Sequence, residues 1–420
     1  MEDLKNQKTE KIGEIQKGRR RLEQRSEACF PITIGESRKF GRSTPVKFQP
    51  FLLDQWLQSH AEPPIEFDLA ASTGPHWTLQ ELLQLTGEEA PTGWLELELT
   101  YSRAEGMTRL REAIAEMQGV PVDEVLVTAG ASEALFHAFF LAAEPGANVV
   151  VPFPCFPPNQ SVPEALGLEV RSYRLRHQNA WRVDPEEIAA LADSHTKLIL
   201  VNSPHNPTGA TVADAEMRWL HDFAARKGIQ LISDEVYHPI YHGEPTASAA
   251  ALPHATVIGD FSKAFSLGGL RLGWIIERDR IRRKMYVNAR EHLTITNVPA
   301  AEYLADIAIR HRDRILSRTS EVAARNLAIV GQVLAEQAEI MEWVRPRGGM
   351  TGFPRLKSGE DSRAFCQAAA RHGMLLAPGD CFGMPDHFRL GFGVSEEWFS
   401  RAMQRFAQFS HEWSHTRQAM

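Results

Sequence analysis

The sequence predicts an α/β fold: a large domain with a mostly parallel central sheet wrapped by helices, followed by a smaller α/β C-terminal domain. Three observations carry that prediction. Short apolar runs alternate with helical stretches between about residues 125 and 276, the pattern of strand–helix–strand units whose parallel sheet is covered on both faces. After about residue 300 this periodicity gives way to one long helical stretch and then to a mixed region opening at Gly348-Gly349-Met350. The length of 420 residues exceeds what one compact core holds, so roughly two or three structural units are expected.

The elements follow in order. Residues 1–50 are polar and lack an apolar period. From Glu66 to Gly74 a strand-like piece with Phe67 and Leu69 runs into a Ser-Thr-Gly-Pro turn. In 108–118, Leu110, Ile114 and Met117 share one helical face. Strands are predicted at Val125–Thr128, Asn148–Val151, Lys197–Asn202, Ile229–Asp234, Thr256–Asp260 and Leu270–Ile276, with helices at Ala131–Ala143, Glu186–Asp193 and Ala213–Lys227 between them. Ala300–Glu339 reads as one long helix with Pro299 as a break before it. A strand near Thr351–Pro354, a helix at Ser362–His372 and a strand near Phe388–Phe392 complete the pattern. The divisions expected are an N-terminal arm at 1–65, a large domain at 66–299 and a small domain at 300–420.

Composition excludes several functions. The 43% hydrophobic and 24% charged residues suit a soluble globular protein, and a net charge of −7 offers nucleic acid no overall attraction. No apolar run is long enough to span a bilayer. The basic residues of the N-terminus are interleaved with Glu2, Asp3, Glu10, Glu14, Glu23 and Glu27 and have no apolar stretch behind them, so a solvated helix or tail is expected rather than a secretory signal. Cys29, Cys155, Cys366 and Cys381 lack metal or redox spacing and read as reduced thiols in a cytoplasmic protein. His137, His205, His238 and His242 show no HExxH-type spacing, so no metal is expected.

The residues with chemistry cluster where α/β sheets hold ligands, outside the carboxyl ends of strands. One strand ends in Asn202-Ser-Pro-His-Asn206-Pro-Thr-Gly, the next in Asp234-Glu-Val-Tyr237, the next in Asp260-Phe-Ser262-Lys263, with Arg271 eight residues further on. Each piece alone has a bland reading, since a strand-end Asp often caps a helix and a lone Lys is most often solvated. In this order and at successive strand ends they are specific.

This set resembles the fold-type I, class I/II aminotransferases, which depend on pyridoxal 5′-phosphate (PLP), over roughly residues 65–395. The resemblance implies the PLP-dependent transferase fold and the following roles. Lys263 would hold the cofactor as a Schiff base and then, once freed, move the Cα proton. Asp234 would keep the pyridine nitrogen protonated, and Asn206 and Tyr237 would hydrogen-bond the ring oxygen. The phosphate would sit on Gly130, Ala131 and Ser132 at a helix start, helped by Ser262 and Arg271. Phe156 would stack on the ring, Tyr101 would reach the phosphate of the neighbouring subunit in a homodimer, and Arg389 would clamp the substrate carboxylate, with Asn206 and Gly74 also at the substrate. Substrates would be small amino acids and 2-oxo acids.

One position departs from the family pattern. Asp260 stands where a hydroxyl residue donates to the phosphate, and a carboxylate there is repelled unless it is protonated, turned away or paired with Arg271 or another cation. The leading expectation is amino-group transfer to a 2-oxo acid. The same machinery also supports elimination or cyclisation, and Asp68-Leu-Ala-Ala-Ser-Thr-Gly-Pro followed by Thr78-Leu-Gln-Glu-Leu resembles the opening segment of capreomycidine synthase-like enzymes. A third alternative is a non-catalytic PLP-binding regulator, against which stand Lys263, Arg389 and an N-terminus without a DNA-binding pattern. Arg282, Arg283, Lys284 and Arg290 are either a solvated helix face or a preference for acidic side chains.

Overall fold

Seven strands build the central sheet: β1 (Val125–Thr128), β2 (Asn148–Phe153), β3 (Glu169–Arg174), β4 (Thr196–Asn202), β5 (Gln230–Asp234), β6 (Ala255–Asp260) and β7 (Gly273–Ile276). Their order is β1-β7-β6-β5-β4-β2-β3, parallel throughout except for β7, which runs antiparallel to both neighbours. The computed structural model describes residues 48–62, 65–87, 92–394 and 396–418, so the expectations for the charged N-terminal segment and for Cys29 lie outside the described residues.

Strand alternation sends successive side chains to opposite faces. Val127, Val150, Ile199, Val201, Leu231 and Val257 enter one apolar core, while Leu126, Val149, Val151, Leu198, Leu200, Ile232 and Ile258 enter the other. Both faces are therefore buried, which explains why these strands read as unbroken apolar runs. β3 was not anticipated: it is a polar edge strand, Glu-Val-Arg-Ser-Tyr-Arg, with only Tyr173 fully buried. An edge strand has only one neighbour to satisfy and needs no apolar run to form.

The long helix expected over Ala300–Glu339 is two helices, Pro299–Arg310 and Arg312–Glu336, separated at His311. Pro299 opens the first helix at a position that needs no N–H, and the bend at His311 involves neither Pro nor Gly, so nothing local announced it. The strand expected from Leu270 begins only at Gly273, because Gly268–Leu270 forms a 3-10 turn and Arg271 takes a left-handed φ of 52°. Small two-residue strands at Thr351–Gly352, Ala377–Pro378 and the four-residue Phe388–Gly391 form a separate antiparallel sheet that carries Arg389.

Two features place the site. Helix α2 (Gly130–Ala142) starts directly after β1, and a side chain at Gly273 of β7 would meet the Ala131 nitrogen at 2.7 Å, so glycine there lets the turn lie against the sheet. Helix α1 (Leu52–Gln58) lies over the strand ends, anchored by buried Leu53 and Trp56, with Trp56 Nε1 donating to Leu376 O at 2.8 Å. No helix among the described residues is long and apolar enough to cross a membrane.

Candidate active site

The carboxyl ends of β4, β5 and β6 form the floor of a cavity of about 250 Å3. Asn202 and Asp234 are direct cross-strand partners. Asn202 Nδ2 donates to Asp234 O at 3.0 Å while its Oδ1 accepts the Asn206 N–H at 2.8 Å, which sets the loop carrying Asn206. Asp260 ends β6, and its Oδ1 accepts the N–H groups of Ser262 (3.0 Å) and Lys263 (3.2 Å), bending the chain so that the lysine enters the cavity. Asn206, Asp234, Tyr237, Ser262, Lys263, Arg271, Arg389, Ala131, Ser132 and Phe156 all line this one space.

Lys263 Nζ donates to Ser72 Oγ at 2.9 Å, and Tyr237 Oη donates to Ser72 O at 3.2 Å. Ser72 is thus held against both groups. It lies inside the Asp68–Pro75 run but has no motif of its own, and the contact spans 191 residues of sequence. Gly74, expected at the substrate, instead faces away from the cavity: a side chain there would meet Ser266 Oγ at 2.2 Å and Thr319 Cγ2 at 2.7 Å. Asn202, Phe51, Leu53, Asp54 and Leu57 are further cavity residues that the sequence reading did not single out.

Electrostatics follow from burial. The Lys263 ammonium is pushed down to about 8, first by desolvation and then by Arg389 and Arg271, against the opposing pull of Asp260 and Asp234. Desolvation pushes Asp234 up to about 7, with Asp260 and Glu235 adding to the rise, and Tyr237 up to about 12. Burial also raises Asp260, against the pull of the Lys263 charge. Asp260 makes its hydrogen bonds to the turn holding the lysine rather than to Arg271, whose Nη1 donates to Gly268 O at 3.1 Å. Two buried carboxylates, an amine lowered to about 8 and two guanidinium groups share one small cavity.

At one end of the cavity, Ala129 caps α2 without a side-chain acceptor, leaving first-turn N–H groups for an anion, and Gly130 has a φ of 81° with a hypothetical side chain only 3.1 Å from Arg271 Nη2. At the other end, Arg389 donates from Nη1 to Asn206 Oδ1 (3.2 Å) and from Nη2 to Ala70 O (2.8 Å), while its buried Nε has no partner. These groups fit PLP. The helix start and Arg271 suit its phosphate, Asp234 suits a protonated ring nitrogen, Phe156 suits the ring face, Lys263 is an amine for its aldehyde, and the spare Arg389 N–H awaits a carboxylate.

Other expectations resolve differently. Tyr101 is 78% exposed and does not line its own chain's cavity. Arg290 is buried against Glu133 (3.4 Å), and Arg282 pairs with Glu277 at 2.6 Å, so neither is free to recruit an acidic substrate. His205 is buried with Nδ1 against Thr208 Oγ1 at 2.9 Å, and desolvation pushes it down to about 3, leaving a neutral ring outside the cavity lining. Among the described residues no group of three His, Cys, Asp or Glu side chains is placed to hold a metal ion.

The strand-end lysine and aspartate, the helix-start anion cradle and the buried arginine define a PLP-dependent transferase, and relatives agree. Residues 79–406 match the family described as aminotransferase class I and II. The chain belongs to that family, and its cofactor is pyridoxal 5′-phosphate. It is 31% identical over 364 residues to capreomycidine synthase of Streptomyces vinaceus, covering 85% of this chain and 92% of that protein. Among solved structures, a PLP-dependent aminotransferase from Streptococcus suis superposes with a TM-score of 0.81 at 27% identity, covering 87% of this chain and 98% of that one. The PLP-dependent cyclase OrfR does so with a TM-score of 0.79 at 29% identity, covering 90% and 100%.

Proposed function

We propose that the protein is an aminotransferase that takes the amino group from an L-amino acid, using Lys263 as the amine bonded to the cofactor, and passes it to a 2-oxo acid. PLP, when bound, supplies an aldehyde for amine exchange and a ring that accepts electrons from the substrate Cα. Arg389 takes the substrate carboxylate with the N–H face that has no protein partner. Lys263, lowered toward neutrality, would act as the base that takes the Cα proton and holds it for return. Asp234 would hold the proton of the ring nitrogen. Asn206, and Tyr237 once its single O–H turns from Ser72 O, would donate to the ring oxygen, while Ser72 Oγ accepts from Lys263 Nζ when the amine is free.

The observation that carries this reading is the placement of Lys263 between Asp234 and Arg389 in one cavity, with an unpartnered buried Nε on Arg389. A homodimer belongs to the same proposal: Tyr101 is exposed and does not line its own site, and its ring would reach the phosphate of the partner subunit. Free, buried Cys155, Cys366 and Cys381 support a reducing cytoplasmic setting.

Elimination or ring closure is a second reading, favoured by the names of two relatives, capreomycidine synthase and the cyclase OrfR. It uses the same residues and differs only after the Cα proton has left. Incubating the holoenzyme with an amino-acid panel and 2-oxoglutarate separates the two. Glutamate formation is expected. Release of ammonia or a cyclised product without an acceptor overturns transfer in favour of elimination.

A further inference from the structure

The cavity roof carries one group that the proposed chemistry leaves without a role. Phe51, which immediately precedes helix α1, and Leu53, Asp54 and Leu57 within it all line the cavity, with the Asp54 carboxylate on the solvent-exposed side of the roof among apolar neighbours. The other two cavity carboxylates have backbone partners: Asp234 accepts from Val236 N–H at 3.3 Å and Asp260 from Ser262 N–H at 3.0 Å. Asp54 makes no hydrogen bond or ion pair among the described residues, although the cavity it faces also holds three cations.

Those cations have tasks of their own in the proposed chemistry, with Arg271 at the phosphate, Lys263 at the cofactor aldehyde and Arg389 at the α-carboxylate. What the roof offers the substrate side chain is the apolar groups of Phe51, Leu53 and Leu57 with the one carboxylate of Asp54 beside them. Such a roof repels a second carboxylate and gives a purely apolar side chain nothing with which to pair the charge. A flexible apolar stem ending in a cation satisfies both parts, with methylenes against the rings and aliphatic groups and the charge on the carboxylate.

We propose that Asp54 selects an L-amino acid whose side chain ends in an ammonium or guanidinium, with Phe51 and Leu57 flanking its stem. The assignment rests on the reading of Arg389 as the carboxylate clamp, since that contact fixes the substrate's other end.

The test uses PLP-loaded wild-type, Asp54→Asn and Asp54→Arg proteins with L-arginine, L-lysine, L-ornithine, L-norleucine and L-glutamate. The readouts are the absorbance change of the bound cofactor on mixing and kcat/KM for its decay, which report substrate engagement whatever product follows. The wild type is expected to favour a basic amino acid over norleucine by about tenfold or more. Asp54→Asn should shrink that ratio by about tenfold, and Asp54→Arg should move the preference toward glutamate. An unchanged ratio in Asp54→Asn overturns the assignment while leaving the transferase reading intact. A wild-type holoenzyme whose absorbance responds to none of the five sinks the transferase reading, and the assignment with it.

Discussion

The floor and the roof of the cavity are built on different principles. On the floor, Asn202, Asp234 and Asp260 are the last residues of adjacent strands, so the hydrogen-bonded ladder of the sheet sets their positions to within the accuracy of a strand register. The roof is a seven-residue helix without a side-chain N-cap, and its place depends on side-chain contacts, chiefly Trp56, bonded to Leu376 O and crossed by the Arg363 guanidinium at 5.3 Å. A shared scaffold that fixes the floor and leaves the roof to side-chain packing can keep one chemistry while exchanging substrates. Substitutions on the floor should therefore cost turnover with every substrate, and substitutions on the roof should redistribute preference among substrates.

The largest expected effect breaks the floor. On the proposed reading, Lys263→Ala removes both the amine that bonds the cofactor and the base that moves the Cα proton, and turnover should fall by about 10^4-fold. Borohydride reduction of the wild-type holoenzyme followed by peptide mapping should tag Lys263; a tag on any other residue would refute this assignment.

Next in size is Asp234→Asn, with an expected loss of about 100-fold in kcat with every amino acid tested. This variant also has a stability signature. In the cofactor-free chain Asp234 is raised from the ordinary carboxylate value to about 7, so its contribution to stability is fully present below the ordinary value and is lost as pH rises through about 7. Lys263, lowered to about 8, stays protonated through most of that window and affects stability as pH rises further. The melting temperature of apo wild type minus that of apo Asp234→Asn should therefore fall between about pH 4 and pH 7. PLP should abolish the decline, because a protonated ring nitrogen supplies the missing cation. A flat difference in the apo proteins would mean that Asp234 is not a desolvated carboxylate.

The same contrast explains what was legible in the sequence. Asp234, Asn206 and Lys263 each follow directly on an apolar strand, so chain position alone implied that they meet at one edge of a sheet, and they do. Arg389 sits in a short strand of the second sheet, and its frame was equally visible. Ser72 and the roof were not visible, because each reaches the site through a contact between distant segments: Ser72 with Lys263, and Trp56 with Leu376, 320 residues away. Gly74, in the same Asp68–Pro75 run, was the expected substrate residue, and it makes a close approach of its own. That approach is to Ser266 and Thr319 behind the lysine. Arg290 looked like a surface charge by composition and is instead buried, since its partner Glu133 comes from helix α2, far away in the chain.

The smallest expected effect sharpens the comparison from the roof side. Phe51 meets Phe156 edge-to-face, with ring centres 5.7 Å apart and planes at 73°. The two rings link roof to cofactor wall without touching the strand ends. An aromatic pair of this geometry contributes about 0.5–1.5 kcal/mol beyond its area, so Phe51→Ala should lower kcat/KM by roughly 3- to 10-fold. The loss should appear in KM, because on the proposed reading the ring flanks the substrate side chain and takes no part in moving a proton. The absorbance of the bound cofactor and its affinity should stay close to wild type, since Lys263, Asp234 and Arg271 are untouched. Steady-state kinetics with several amino acids, beside a cofactor titration, check this directly. A fall in kcat of equal size for every substrate would show that the roof helps set the geometry of the chemistry, and the division between floor and roof would then fail.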